Sequence, residues 1–136
     1  PTETDQDFEE LVDFVSEGHF QHLGIFLYSD EDNIRSSKFG DPIPLSLKEE
    51  RKNRLMEIQQ KISKEHHQKM VGSLQQVLVG GFSSETDLLL EGRNQYQGPE
   101  VDGVVYINEG NATSAGFHQV EITEAHEYDL VGKILN

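Results

Sequence analysis

The 136-residue sequence contains no cysteine and no tryptophan. Without cysteine the chain cannot form a disulfide, use a thiolate nucleophile or supply thiolate ligands to zinc or to an iron–sulfur cluster. It also lacks an apolar run near the roughly 20 residues that a membrane-spanning helix requires, and its acidic beginning does not resemble a signal peptide. The sequence therefore predicts a cytoplasmic protein without a membrane segment. Because it opens at Pro1, inside a helix-starting stretch, we expect a segment of a longer protein.

Positive charge is scarce, above all in the second half of the chain. The formal net charge is −14, and residues 70–136 carry ten acidic side chains against two basic ones, Arg93 and Lys133. Nucleic-acid binding draws much of its affinity from Lys and Arg side chains that displace counterions from phosphates. The composition therefore disfavours a nucleic-acid partner and favours a basic partner. The alternative is that the acidic surface serves solubility alone.

Residues 1–45 have the pattern of one α/β element. Thr4 and Asp7 form a capping pair at the start of an amphipathic helix that ends at Gly18. The continuous apolar run at residues 23–28 predicts a strand at residues 22–28 that is buried on both faces, as in a parallel sheet. Its partner strands are expected upstream of the chain or in another molecule. Residues 29–44 are predicted to form a polar, exposed loop.

A long helix is predicted from residue 46 to residue 69. Ser46 and Glu49 have the spacing of a capping box, and no glycine or proline interrupts residues 47–69. Its apolar side chains lie on one narrow stripe, which predicts one packed face and a hydrated remainder. That stripe consists of Leu55, Ile58 and Ile62.

From Val71 onward the hydrophobic period changes to two, and nine of the 12 glycines lie in residues 70–136. This pattern predicts short strands joined by tight turns, arranged as a small closed or nearly closed antiparallel barrel of five strands. The strands are expected near residues 73–80, 86–93, 103–108, 117–125 and 128–135. Turns are expected at Gly80-Gly81, Gly98-Pro99, Gly110-Asn111 and Gly116.

Candidate chemistry is limited to carboxylates. The six histidines lack the spacing of a metal site, and no nucleophile elbow, phosphate loop or dinucleotide fingerprint occurs. A group of acidic side chains in the predicted barrel is open to three interpretations: a docking face for a cationic partner, a general acid/base pair, or a solvated surface. Alternation places these side chains opposite the apolar positions, which favours docking over acid/base catalysis. They are Glu100, Asp102, Glu121, Glu124, Glu127 and Asp129.

The first half of the chain resembles the radical S-adenosylmethionine methylthiotransferases. PTETDQDFEEL resembles the family's proline–glycine–Glu–Thr segment, with Thr2 standing where glycine is usual. The resemblance implies that Glu3 lies near the adenosyl cofactor. LGIFLYSDED resembles the last strand of the family's TIM-like barrel, and LSLKEERKNRLMEIQQKIS resembles the helix that follows it.

The second half is similar to a TRAM domain, an OB-like five-stranded barrel. The similarity lies in LLLEGRNQYQGPEVDGVVYIN and VEITEAHEYDLVG, and both segments match the branch of the family that modifies a ribosomal protein. The resemblance divides the chain into a barrel remnant at 1–45, a connecting helix at 46–69 and a TRAM barrel at 70–136, an α+β fragment. An acidic TRAM domain suits recruitment of a basic small-subunit ribosomal protein.

The resemblance also implies a reaction for the parent enzyme, the insertion of a methylthio group at the β-carbon of an aspartate. It implies S-adenosylmethionine and two four-iron four-sulfur clusters as cofactors, none of them bound by this cysteine-free chain. We therefore expect the chain to dock substrate without turning it over. Two alternatives stay open: a piece of a tRNA methylthiotransferase whose TRAM domain binds tRNA, and an unrelated acidic adaptor with an OB-like barrel.

Overall fold

A computed structural model describes residues 1–112 and 115–135. The chain divides into two compact units, Pro1–Ile62 and Ser63–Asn136, and the boundary falls inside a helix. The predicted division at residues 45 and 69 stays a prediction. Among the described residues no helix is both long and apolar enough to cross a membrane. The elements are α1 (Asp5–Ser16), a 3₁₀ helix (Arg35–Phe39), α2 (Leu45–Gln68), β1 (Leu74–Phe82), β2 (Leu90–Arg93), β3 (Val105–Glu109), β4 (Gly116–Ala125) and β5 (Leu130–Ile134).

Helix α1 is capped by its own side chains. The Thr4 hydroxyl accepts a 3.2 Å hydrogen bond from the Asp7 backbone N–H, and the Asp7 carboxylate accepts a 2.8 Å hydrogen bond from the Thr4 N–H. Each side chain thus satisfies a backbone donor that the first helical turn leaves unpaired. After the helix, Gly18 has a φ of +75°, which glycine adopts without a Cβ clash. The predicted cap and the predicted stop are both confirmed.

The first unit is held by a small apolar core and by two arginines of α2. Phe8, Val12, Val15 and Leu55 form the core. The guanidinium groups of Arg51 and Arg54 lie over the Phe8 ring, at 5.2 and 5.5 Å from its centroid, respectively. Arg54 also donates to both carboxylate oxygens of Glu9, which makes a bidentate pair between α2 and α1.

The buried strand predicted at residues 22–28 does not form within this chain, and because its partner strands are expected outside the chain, it stays a prediction. These residues pair with no strand in the described ranges 1–112 and 115–135, and the Phe26 side chain is 94% exposed. A strand forms only where a neighbour completes its ladder of backbone hydrogen bonds, and an apolar run supplies no such neighbour. The loop predicted at residues 29–44 contains the 3₁₀ helix Arg35–Phe39, which the sequence analysis did not anticipate.

The predicted long helix is confirmed within one residue at each end, but the predicted capping box is wrong. The helix begins at Leu45, so Ser46 lies inside its first turn and does not cap it. The Pro44 carbonyl accepts hydrogen bonds from the N–H groups of Leu47 and Lys48 at 3.0 and 3.1 Å. The predicted apolar stripe is partly wrong as well, because Leu55 alone of its three members is fully buried. The buried positions repeat every four residues and are mostly polar: Arg51, Leu55, Gln59, Ser63 and His67.

In the described part of the second unit, five strands close into a barrel in the order β1-β2-β3-β5-β4. The predicted OB-like topology is present, but the prediction of an antiparallel barrel is wrong at one place, because β3 and β5 run parallel. A closed ring of an odd number of strands cannot alternate direction at every pairing. Closure with five strands therefore requires a parallel pair.

The barrel interior is filled by side chains, and glycines allow a bend in β1 and a close contact on β5. Gly80 and Gly81 lie inside β1, where the pairing with β2 shifts register, so the turn predicted there is instead a β-bulge that bends the strand. On β5, a Cβ at Gly132 would lie 2.5 Å from Val120 Cγ1. The core consists of Met70, Val77, Val79, Val105, Ile107, Val120, Ile122, Leu130 and Ile134.

Candidate protein-docking surface

Outward-facing side chains of four neighbouring strands form a row across the barrel wall. Glu91 of β2 lies opposite Tyr106 of β3, Tyr106 lies opposite Val131 of β5, and Val131 lies opposite Glu124 of β4. On β3 and β5 these positions alternate with buried ones: Val105 and Ile107 lie on either side of Tyr106, and Leu130 and Gly132 lie on either side of Val131. We call Glu91, Tyr106, Val131 and Glu124 the acidic row.

Tyr106 lies in a negatively charged environment. Burial raises the pKa of its hydroxyl above the ordinary value, and the negative charges of Asp129, Glu85 and Glu91 raise it further. The negative charges of three carboxylates from different segments thus act on the Tyr106 hydroxyl. An aromatic face beside carboxylates can accept the cationic side chain of a partner, through the ring and through the charges.

Two of the predicted docking residues are used by the fold itself. Asp129 Oδ1 accepts a 2.9 Å hydrogen bond from the Val104 N–H, and Asp102 Oδ2 accepts a 2.7 Å hydrogen bond from the Gly98 N–H. Both bonds satisfy loop donors that lie outside the ladder of the sheet. Asp129 combines this role with its place beside Tyr106. Asp102 belongs to the loop before β3.

Glu124 lies near the end of β4 and Glu127 lies in the turn that leads to β5, and both are exposed. A basic side chain lies near each of them: His126 Nε2 is 4.0 Å from Glu124 Oε2, and Lys64 Nζ is 3.9 Å from Glu127 Oε1. Exposed pairs at such distances add little to stability. The two carboxylates therefore remain accessible to a partner.

The other predicted docking residues lie apart from the acidic row. Glu121 forms a 3.2 Å ion pair with Lys133, which lies opposite it on β5. Lys133 also lies opposite Glu109 of β3, so this second row has a cation between two carboxylates. Glu100 lies in the loop before β3 with a φ of +62°, and its side chain is exposed.

Glu3 belongs to the first unit, where its carboxylate accepts a 2.5 Å hydrogen bond from Arg51 Nη1. The other nitrogen of the same guanidinium donates to Asp5 Oδ1 at 2.7 Å. A pocket of about 230 Å³ is lined by Glu3 and Arg51, together with apolar residues that include Phe8 and Ile25. The predicted contact between Glu3 and the adenosyl cofactor stays a prediction.

Comparison of the sequence with known proteins identifies a family. Residues 71–135 match the TRAM domain model. The chain is 47% identical over 135 residues to the ribosomal protein uS12 methylthiotransferase RimO of Anaeromyxobacter sp. (strain K), covering 99% of this chain and 29% of that protein. It is 45% identical over 136 residues to RimO of Desulfotalea psychrophila (100% and 31%) and 42% identical over 134 residues to RimO of Aquifex aeolicus (98% and 31%). The chain belongs to the RimO family.

The predicted family resemblance is therefore confirmed, and the TRAM match covers all five barrel strands. The chain spans about a third of the length of the RimO proteins it matches. The match with the RimO family extends across the first unit as well as the barrel, since it covers nearly the whole chain.

The residues of this RimO-family chain do not fit the clusters that the resemblance implies. Cluster iron is held by cysteine thiolates, and the chain has no cysteine. In residues 1–112 and 115–135, no group of three or more His, Asp or Glu side chains is arranged to hold a metal ion. We derive no chemical step through a cluster from these residues.

Sequence reasoning missed three members of the surface around the acidic row. None of Glu85, Glu91 and Tyr106 is among the predicted docking residues. The alternation could have found Tyr106 as an outward aromatic residue between buried Val105 and Ile107. Glu91 becomes its neighbour only through the pairing of β2 with β3, which the sequence does not specify.

Proposed function

We propose that this chain is the substrate-recruiting part of a methylthiotransferase that modifies ribosomal protein uS12. The names of its relatives support the substrate, and the charge of the barrel supports the mode of binding. A ribosomal protein is basic because it binds RNA phosphates. An acidic surface attracts such a partner at long range and orients it before contact. Action on a ribosomal protein implies a cytoplasmic location.

The observation that carries this proposal is the acidic row with Tyr106 at its centre. In OB-fold barrels the face of the second and third strands binds oligonucleotides and oligosaccharides. Here that face presents Glu91 and Tyr106 in direct register. A basic side chain bound there gains contact with the ring and attraction from the carboxylates. A phosphate backbone would meet repulsion at the same place.

We propose that substrate binding and catalysis lie in different parts of the parent enzyme. The parent enzyme inserts a methylthio group at the β-carbon of an aspartate, and its S-adenosylmethionine and iron–sulfur clusters supply the radical chemistry when bound elsewhere in the protein. We propose that residues 1–45 are the end of the radical S-adenosylmethionine barrel, with 46–69 as the connecting helix and 70–136 as the TRAM barrel. This chain binds and orients the substrate protein and performs no turnover itself.

The proposal is tested by reversing charge within the acidic row. The double variant Glu91→Lys with Glu124→Lys is compared with Glu49→Lys with Glu57→Lys, two exposed α2 residues that give the same change in net charge. Binding of uS12 should fall at least tenfold in the first variant and much less in the second. Equal losses would mean that net charge matters and the row does not. Saturable binding of tRNA by the unmodified chain would favour the tRNA-modifying branch.

A further inference from the structure

The turn between β4 and β5 is bound by side chains from the end of α2. We call residues 125–129 the docking turn. Ser63 Oγ donates a 2.7 Å hydrogen bond to the Glu127 carbonyl, His67 Nδ1 donates a 3.1 Å bond to the His126 carbonyl, and Gln68 Nε2 donates a 3.2 Å bond to the Ala125 carbonyl. Three consecutive carbonyls are thus satisfied by three side chains of one helix. We call Ser63, His67 and Gln68 the clamp.

The clamp residues are polar at positions where a helix usually packs with apolar side chains. Ser63 and His67 are each only 2% exposed. Burial of a hydroxyl or an imidazole is unfavourable unless the group is hydrogen-bonded. Their hydrogen bonds to the turn offset that cost. Because these bonds are directional, they fix the path of the turn backbone more tightly than apolar contact does.

The backbone of the docking turn is also held in place on the side away from the clamp. A Cβ at Gly103 would lie 1.9 Å from the Tyr128 carbonyl oxygen, so the chain before β3 packs directly on this carbonyl. The turn is closed by a 2.8 Å hydrogen bond from the His126 N–H to the Asp129 carbonyl. The carbonyls of residues 125–129 are therefore all hydrogen-bonded or in close contact.

We infer that the clamp positions the docking turn for partner binding. The turn directly follows Glu124 and contains Glu127 and Asp129, and the negative charge of Asp129 acts on the Tyr106 hydroxyl. A fixed turn holds these carboxylates in one arrangement, so less conformational entropy is lost when a partner binds. Ser63, His67 and Gln68 are thus positioning residues that need not touch the partner. The expected effect of the clamp on partner binding rests on the proposed function, whereas its expected effect on the turn does not.

The test compares His67→Leu with His67→Asn in the full chain. Leucine removes the donor, whereas the asparagine carboxamide can donate from nearly the same place as Nδ1. Neither variant alters a carboxylate. Hydrogen exchange is measured at the His126 and Leu130 N–H groups, which bond to the Asp129 and Val104 carbonyls. Affinity for uS12 is measured on the same samples.

We expect His67→Leu to accelerate exchange at both amides and to weaken uS12 binding by about three- to tenfold, with both properties restored in His67→Asn. Unchanged exchange in His67→Leu overturns the inference. If this variant does not fold, Ser63→Ala is measured in its place, with the same expectations for exchange and affinity. If the unmodified chain binds no uS12, the proposed function fails, while the exchange rates still decide whether the clamp holds the turn. Faster exchange with unchanged affinity rejects a role in binding.

Discussion

The backbone N–H of Val104 donates a 2.9 Å hydrogen bond to Oδ1 of Asp129, so an acidic residue of the docking turn is tied to the chain that enters β3. A second bond, from the Leu130 N–H to the Val104 carbonyl at 2.9 Å, runs beside it. The two bonds join β3 and β5 where their parallel pairing begins. Asp129 therefore contributes to closure of the barrel as well as to the charge around Tyr106.

Removal of the Asp129 carboxylate is expected to destabilise the barrel. Asp129→Ala leaves the Val104 N–H without its acceptor, and a lost bond to a charged group costs about 1–3 kcal/mol in unfolding free energy. Glu127→Ala is the matched control, because this exposed carboxylate lies 3.9 Å from Lys64 Nζ and should change stability by less than about 0.5 kcal/mol. Urea unfolding followed by circular dichroism measures both. Equal stabilities would show that the Val104 bond contributes nothing.

The interior of the barrel leaves no room beside Gly132. A Cβ there would lie 2.5 Å from Val120 Cγ1 and 2.7 Å from the Glu121 carbonyl oxygen, so Gly132→Ala should lower the unfolding free energy by about 1–3 kcal/mol. Gly80→Ala is the control within the same barrel, since its Cβ would meet nothing closer than 4.0 Å. A Gly132→Ala barrel as stable as the unmodified one would contradict the close packing of β5 on β4.

Acid should fray the start of α1. Hydrogen bonds from the Thr4 hydroxyl and the Thr4 N–H lower the pKa of the Asp7 carboxyl below its ordinary value. A lowered folded-state pKa gives a stabilisation that is complete above the unfolded-state pKa and is lost as pH falls through the folded-state value. Nuclear magnetic resonance titration of the Asp7 side chain and of the first-turn amides between pH 6 and pH 2 measures both events.

Thr4→Val is the control for that titration, because it keeps the backbone donor and removes the hydroxyl. The Asp7 pKa should rise toward its ordinary value in this variant, and the first turn should fray at higher pH. An Asp7 pKa that does not respond to Thr4→Val would contradict the assignment of the shift to the capping box.

The elements that sequence reasoning predicts well are those specified by neighbouring residues. The cap of α1 needs Thr4 and Asp7 at fixed spacing, and the strands β3 to β5 need alternation, so both are visible in the sequence. The strand predicted at residues 22–28 does not form in this chain, because a strand depends on a neighbour that no local pattern encodes and that is expected outside the chain. The Gly80-Gly81 pair predicts a turn although it forms a bulge, because turns and bulges both favour glycine.

The candidate site was less predictable because it depends on which strands pair. Charge and alternation indicate an acidic barrel surface, but they do not say that Glu91 meets Tyr106 or that Glu121 is engaged by Lys133. Ser63 and His67 look like polar surface residues of a helix. Their burial follows from carbonyl groups more than 50 positions away in the chain.

The most direct test of the account is calorimetric titration of this chain with ribosomal protein uS12 at low and high salt, with tRNA as the comparison ligand. We predict saturable binding of uS12 that weakens markedly as added salt screens the acidic row, and no binding of tRNA at either salt concentration. Absence of uS12 binding at low salt, or saturable binding of tRNA, would contradict recruitment of a basic protein by this barrel.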